Sequence, residues 1–169
     1  MQMTFESFDK KPVQLYLWEA EHARGVVQIV HGMTEHAARY EPFARYLNDM
    51  GLTVAADDHR GHGATDAQTL GWCAGDMFAD TLRDEAAITD FLKEKYRLPV
   101  VLLGFSYGSF LTQSYLGRYA DKLAGAVIAG SNYKKDFEVY LGSVVARLGI
   151  LFCGQKKRAK LIEKLSFGA

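Results

Sequence analysis

Residues Gly104-Phe105-Ser106-Tyr107-Gly108 place a serine between two glycines directly after the apolar run Val100 to Leu103. That is the sequence form of a nucleophile elbow, in which a serine stands on a sharp turn between a strand and a helix. The backbone there is strained, and the positions two before and two after the serine have room for almost no side chain. Ser109 to Tyr119 follows with a composition suited to a helix, placing Phe110, Leu111, Tyr115 and Tyr119 at roughly helical spacing. The alternative is a glycine-rich connection with an idle serine.

The rest of the chain supplies the context the motif demands. Met3 to Phe8 and Val13 to Glu19 read as strands of an opening hairpin at a sheet edge, joined by Asp9-Lys10-Lys11-Pro12. Val26 to Val30 and Leu52 to Ala56 are short β-branched runs of the kind buried in a parallel sheet, and Ala124 to Ala129 is a further apolar strand. Tyr40 to Met50 reads as an amphipathic helix ended by Gly51. Asp76 to Tyr96 reads as a long helix with Phe78, Leu82, Ala86, Ile88 and Leu92 inward, stopped before Pro99. Strands alternating with helices predict an α/β fold with a mostly parallel sheet covered on both faces.

At Gly130-Ser131-Asn132 the pattern changes. Phe137, Tyr140, Leu141, Val144, Val145 and Leu148 fall at helical spacing, followed by the basic residues Lys156, Lys157, Arg158 and Lys160. Residues 134 to 169 hold eight Lys/Arg against three Asp/Glu, so from totals of 20 and 20 the first 133 residues hold twelve against seventeen. The balanced net charge points away from nucleic acid. The basic cluster reads either as a solvated face or, beside the apolar helix, as a weak contact with a membrane surface.

Cys73 and Cys153 belong to no metal or disulfide pattern, and residues 1 to 10 lack the apolar core of a secretory signal, so a cytoplasmic protein with reduced thiols is expected. The longest apolar stretch, Leu141 to Gly154, is too short to span a bilayer. His59 and His62 lie near Asp57, Asp58 and Asp66, but nothing completes a persuasive zinc set, so no metal is expected.

A serine nucleophile needs a base, and in this kind of elbow the acid and histidine follow the serine in the chain. All five histidines (His22, His31, His36, His59 and His62) precede Ser106. At 169 residues the chain is also short for its architecture. The expectation is an N-terminal part of a longer protein, with lost activity or an upstream histidine as alternatives.

Together, His31-Gly32-Met33-Thr34-Glu35-His36, Asp58-His59-Arg60-Gly61-His62-Gly63 and Gly104-Phe105-Ser106-Tyr107-Gly108 resemble the α/β-hydrolase superfamily, in its monoacylglycerol lipase and lysophospholipase-like (serine aminopeptidase S33-like) group. The resemblance implies an α/β-hydrolase core over residues 1–130 and the start of a helical cap over 131–169. It implies a serine ester hydrolase without cofactor, taking a small-molecule acyl ester. The acid and histidine would lie beyond residue 169, leaving these 169 residues inactive alone; a thioesterase, an aminopeptidase or a silent binding domain are the other readings. Ser106 would be the nucleophile, with the Met33 and Tyr107 backbone N–H groups holding the oxyanion, Gly32 permitting the sharp turn, and Glu35 and His36 bracing that loop. Phe105, Phe137, Tyr140 and Leu141 would contact substrate. The oligomeric state is not implied.

Overall fold

The computed structural model describes residues 1–132 and 136–154. The chain divides into two compact units, Met1–Ser131 and Asn132–Ala169. The first is built on six strands: β1 (Gln2–Glu6), β2 (Pro12–Trp18), β3 (Gly25–Val30), β4 (Leu52–Asp57), β5 (Val100–Phe105) and β6 (Gly125–Ala129). Their order across the sheet is β1-β2-β4-β3-β5-β6. The β1-β2 hairpin is antiparallel and β2 joins β4 antiparallel, whereas β4, β3, β5 and β6 run parallel. This is the expected α/β-hydrolase arrangement, a mostly parallel sheet with an antiparallel edge.

Strand β3 is buried at every position, as a β-branched run inside a parallel sheet should be. Alternate side chains feed opposite layers. Val27, Ile29, Val54 and Ala56 meet Ala44 of α1 (Glu41–Asp49) and Ala37 of the short 3-10 turn before it. Leu15, Leu17, Val26, Ala55 and Val100 meet Ile88 and Leu92 of α2 (Met77–Tyr96) on the other. On that second face Val30 and Leu102 also pack against Leu82 and Ala86 of α2 and against Leu111 and Tyr115 of α3 (Tyr107–Tyr119).

Helix α2 starts where its sequence says it should. The Asp76 side chain accepts from the Ala79 amide at 3.0 Å, and the left-handed Arg97 closes the last turn. Its inner face departs from the apolar reading, because Thr81, Asp84, Glu85 and Thr89 are buried beside Leu82, Ile88 and Leu92. Phe110 of α3 is exposed, while Leu111 and Tyr115 are buried.

In the second unit the described residues form α4 (Asp136–Cys153), which carries exposed Phe137, Tyr140 and Leu141. Lys156, Lys157, Arg158 and Lys160 lie outside the described residues. Among the described residues, no helix is long and apolar enough to cross a membrane.

Candidate active site

Ser106 stands between β5 and α3 with φ 52° and ψ −114°, a conformation that costs any residue with a side chain. Three anchors hold it there. Its amide donates to the Ala129 carbonyl of β6 at 3.0 Å, and its carbonyl accepts from the Ser109 amide and the Ser109 hydroxyl. The flanking glycines are obligatory for packing. A Cβ on Gly104 would fall 2.2 Å from Thr112 Oγ1, and one on Gly108 would fall 1.9 Å from the Val30 carbonyl oxygen.

The loop after β3 comes directly against the serine. A Cβ on Gly32 would lie 3.3 Å from the Ser106 Cβ, so Gly32 is needed for close approach. The left-handed backbone in this loop is carried by Thr34, at φ 61°. Glu35 braces the loop: its Oε2 accepts from the Gly32 amide at 3.0 Å and from the Tyr40 hydroxyl at 2.9 Å, and its Oε1 pairs with Arg39. His36 takes no part in this, since its side chain is exposed and makes no hydrogen bond among the described residues. Asp58 does the work instead, accepting from the Ala37 and Ala64 amides at 2.7 Å each.

Neither the Met33 nor the Tyr107 amide donates a hydrogen bond among the described residues, and Tyr107 is the first residue of α3, where an N–H has no partner within the helix. The Met33 side chain is exposed. The Tyr107 ring is packed away between His62 and Phe78, and burial pushes its hydroxyl up to about 12. Phe105 is exposed and lines an open cleft of ≈ 220 Å³ with Glu35, Arg39, Tyr40 and Phe43. Phe137, Tyr140 and Leu141 belong to the second unit.

No histidine among the described residues bonds the Ser106 hydroxyl. His31 Nε2 accepts from the His59 amide at 3.1 Å, so its proton sits on Nδ1, which donates to the Gly32 carbonyl at 2.7 Å. Burial, reinforced by His59, pushes His31 down to about 2. The His59 ring stacks on it at 3.7 Å and turns Nδ1 toward Asp57 and Glu85 at 3.0 and 3.3 Å. His62 Nδ1 donates to the Arg60 carbonyl, and burial lowers its pKa. His22 and His36 are exposed.

Asp57, His59 and Glu85 form the one group of carboxylates and imidazoles, among the described residues, whose donor atoms converge closely enough to surround a cation. All three are buried and already bond one another. Glu85 was invisible as a site residue in the sequence. The available signal was its place on the Leu82–Ile88–Leu92 stripe of α2, where a charged residue needs a buried partner.

The chain's residues 21–167 match the serine aminopeptidase, S33, family model. Over 107 residues the chain is 34% identical to a monoacylglycerol lipase of Mycolicibacterium smegmatis, covering 63% of this chain and 38% of that lipase. Over 106 residues it is 32% identical to the monoglyceride lipase of Homo sapiens, covering 62% of this chain and 34% of the human protein. Among solved structures, a thermostable carboxyl esterase from Bacillus coagulans superposes with a TM-score of 0.82 at 30% identity, covering 98% of this chain and 55% of the esterase. The chain thus spans little more than a third of the length of these lipases and about half of the esterase. With the matched segment running through most of its residues and the elbow, loop and sheet in their family order, the chain belongs to the serine aminopeptidase S33 family of α/β hydrolases.

Proposed function

We propose that the protein carrying this chain is a serine hydrolase of carboxylic esters, with small monoacylglycerol- or lysophospholipid-like substrates. The observation that carries the reading is the left-handed Ser106, raised on its turn at φ 52° and facing the Gly32 loop. Ser106 Oγ attacks the acyl carbon while its proton passes to a histidine, and the C–O bond then breaks as the departing alcohol takes that proton. Water attacks the acyl-enzyme next, releasing the acid and returning a proton to Ser106. The Met33 and Tyr107 amides would hold the oxyanion, each worth about 3 kcal/mol of barrier.

The histidine, and the carboxylate that orients it, would come from chain beyond residue 169. The buried histidines described above are already engaged elsewhere, which supports this source. Phe105 and its cleft would receive part of the substrate. Residues 131–169 would begin a helical cap, with Phe137, Tyr140 and Leu141 along the acyl chain or in weak contact with a membrane surface. No cofactor is required by this chemistry.

The test is hydrolysis of a p-nitrophenyl acyl ester by the intact protein and by its Ser106→Ala variant, alongside labelling by a fluorophosphonate. Complete loss of both in the variant supports the assignment; retained hydrolysis refutes it. The family's aminopeptidase description supports a second reading, and a panel of ester, thioester and aminoacyl-amide substrates separates the two.

A further inference from the structure

Two carboxyl groups, Asp57 at the end of β4 and Glu85 in the middle of α2, face each other in the interior with relative exposures of 2% and 1%. Glu85 Oε2 accepts from Gln28 Nε2 at 2.6 Å and Asp57 Oδ2 from His59 Nδ1 at 3.1 Å, whereas Asp57 Oδ1 and Glu85 Oε1 receive no well-aligned hydrogen bond and have only the same His59 Nδ1 beside them, at 3.0 and 3.3 Å. Two enclosed carboxylates side by side strongly oppose each other's ionisation, and a proton kept on Glu85 and shared with Asp57 relieves that repulsion. The seam continues upward. His59 is oriented by Asp57, its backbone amide fixes His31, and His31 in turn holds the Gly32 carbonyl in the loop facing Ser106.

We propose that Glu85 is a positioning residue for the loop that presents the Met33 amide: it keeps one proton shared with Asp57, and the pair fixes His59, His31 and the Gly32 carbonyl in register. The second half of this statement rests on the serine hydrolase reading; the shared proton does not. The groups facing Glu85 come from every packed element. They are Gln28 of β3, Asp57 and His59 from β4 and the loop after it, Thr89 and Asp84 of α2, and Tyr115 of α3, whose hydroxyl donates to Thr89. The Asp84 charge is taken up by Arg60 at 2.7 Å. Burial, with the Asp57 charge adding to it, raises Glu85 well above the usual carboxylate range. Burial alone would raise Asp57 too, but the His59 ring beside it outweighs this and holds it low.

Glu85→Gln separates the possibilities, because its amide can donate to Asp57 and accept from Gln28 without titrating. A carboxyl with a raised pKa contributes stability that is fully present below its unfolded value near 4.5 and is lost as pH rises. Urea midpoints of the full chain between pH 4.5 and 8 should therefore show the native protein losing ground against Glu85→Gln as pH rises. Curves that stay parallel would overturn the shared proton. In the active enzyme, Glu85→Leu should lower kcat about tenfold at unchanged KM, and Glu85→Gln should restore it to within about twofold. Equal losses in both variants, or none in Glu85→Leu, would overturn the positioning role. Should Glu85→Leu not fold, Glu85→Met takes its place in the kinetic comparison, and native protein against Glu85→Gln still decides the shared proton. An intact protein without esterase activity would sink the serine hydrolase reading and leave the urea comparison to judge the proton alone.

Discussion

His59 donates its backbone amide to His31 Nε2 at 3.1 Å while the two rings stack at 3.7 Å, so one residue sets both the tautomer and the plane of the other. A proton added to His31 Nε2 would break that bond, in keeping with burial pushing the ring down to about 2. The unfolded chain takes up that proton near pH 6.5. A depressed pKa contributes stability that is present above 6.5 and lost as pH falls toward 2, at up to about 1.4 kcal/mol per pH unit. Relative to His31→Gln, the native protein should lose stability at nearly that slope between pH 6 and 4.5, read from urea midpoints. A difference that does not change with pH would show that His31 is not the buried neutral ring described.

Three glycines of one strand–helix unit should respond to alanine in opposite directions. Gly104→Ala and Gly108→Ala drive a methyl group to 2.2 Å from Thr112 Oγ1 and to 1.9 Å from the Val30 carbonyl oxygen. Each should cost more than about 3 kcal/mol or prevent folding, as overpacking against backbone does. Gly117, exposed on α3 with nothing within 4 Å of its added Cβ, gains only helix propensity, about 0.5–1 kcal/mol. Thermal midpoints of the Gly108→Ala and Gly117→Ala proteins decide; a stabilised Gly108→Ala would mean that the elbow is not packed on β3.

Arg60 and Asp9 share an ion pair at 2.7 Å but not its importance. The Arg60 side chain is 2% exposed and also holds Asp84 and Ser7, tying the β1-β2 turn to α2, whereas Asp9 is 41% exposed. Removing the buried cation leaves the Asp84 charge enclosed without a partner, and Arg60→Ala should cost about 3–5 kcal/mol. Asp9→Ala should cost at most about 1 kcal/mol, because an exposed partner is well screened. Comparable losses in urea unfolding would contradict this division.

Val26 to Val30, Leu52 to Ala56 and Val100 to Leu103 could be read as strands because the inner strands of a parallel sheet, covered on both faces, require unbroken apolar runs, whereas the edge strand β6 leaves Val127 and Ile128 exposed. Asp76 and Pro99 marked the ends of α2 through capping and ring chemistry that act locally. What stayed hidden was the polar seam of Gln28, Asp57, His59 and Glu85. A glutamate in an amphipathic helix reads as solvated until topology sets its partners beside it, and those partners lie on β3 and β4, far away in the chain. The loop facing the serine was partly legible. Its glycine was evident, but which residue takes the left-handed turn depends on how closely the loop approaches Ser106, and that falls to Thr34.

Ser106 sits in its left-handed conformation for a reason other than stability. A non-glycine residue at φ 52° and ψ −114° stores on the order of 1–3 kcal/mol, and the Ser106 hydroxyl recovers none of it, since it caps no helix amide and bonds no side chain among the described residues. Glycine reaches the same backbone without the Cβ clash, at the cost of some added freedom in the unfolded chain. Ser106→Gly should therefore raise unfolding free energy by about 1 kcal/mol while removing the nucleophile, whereas Ser106→Ala keeps the Cβ strain and should be close to neutral in stability. Calorimetric midpoints of the three proteins, read together with fluorophosphonate labelling, test the trade directly. A less stable Ser106→Gly would show that the serine side chain is a structural anchor, and the strained turn would lose its meaning as the mark of a nucleophile.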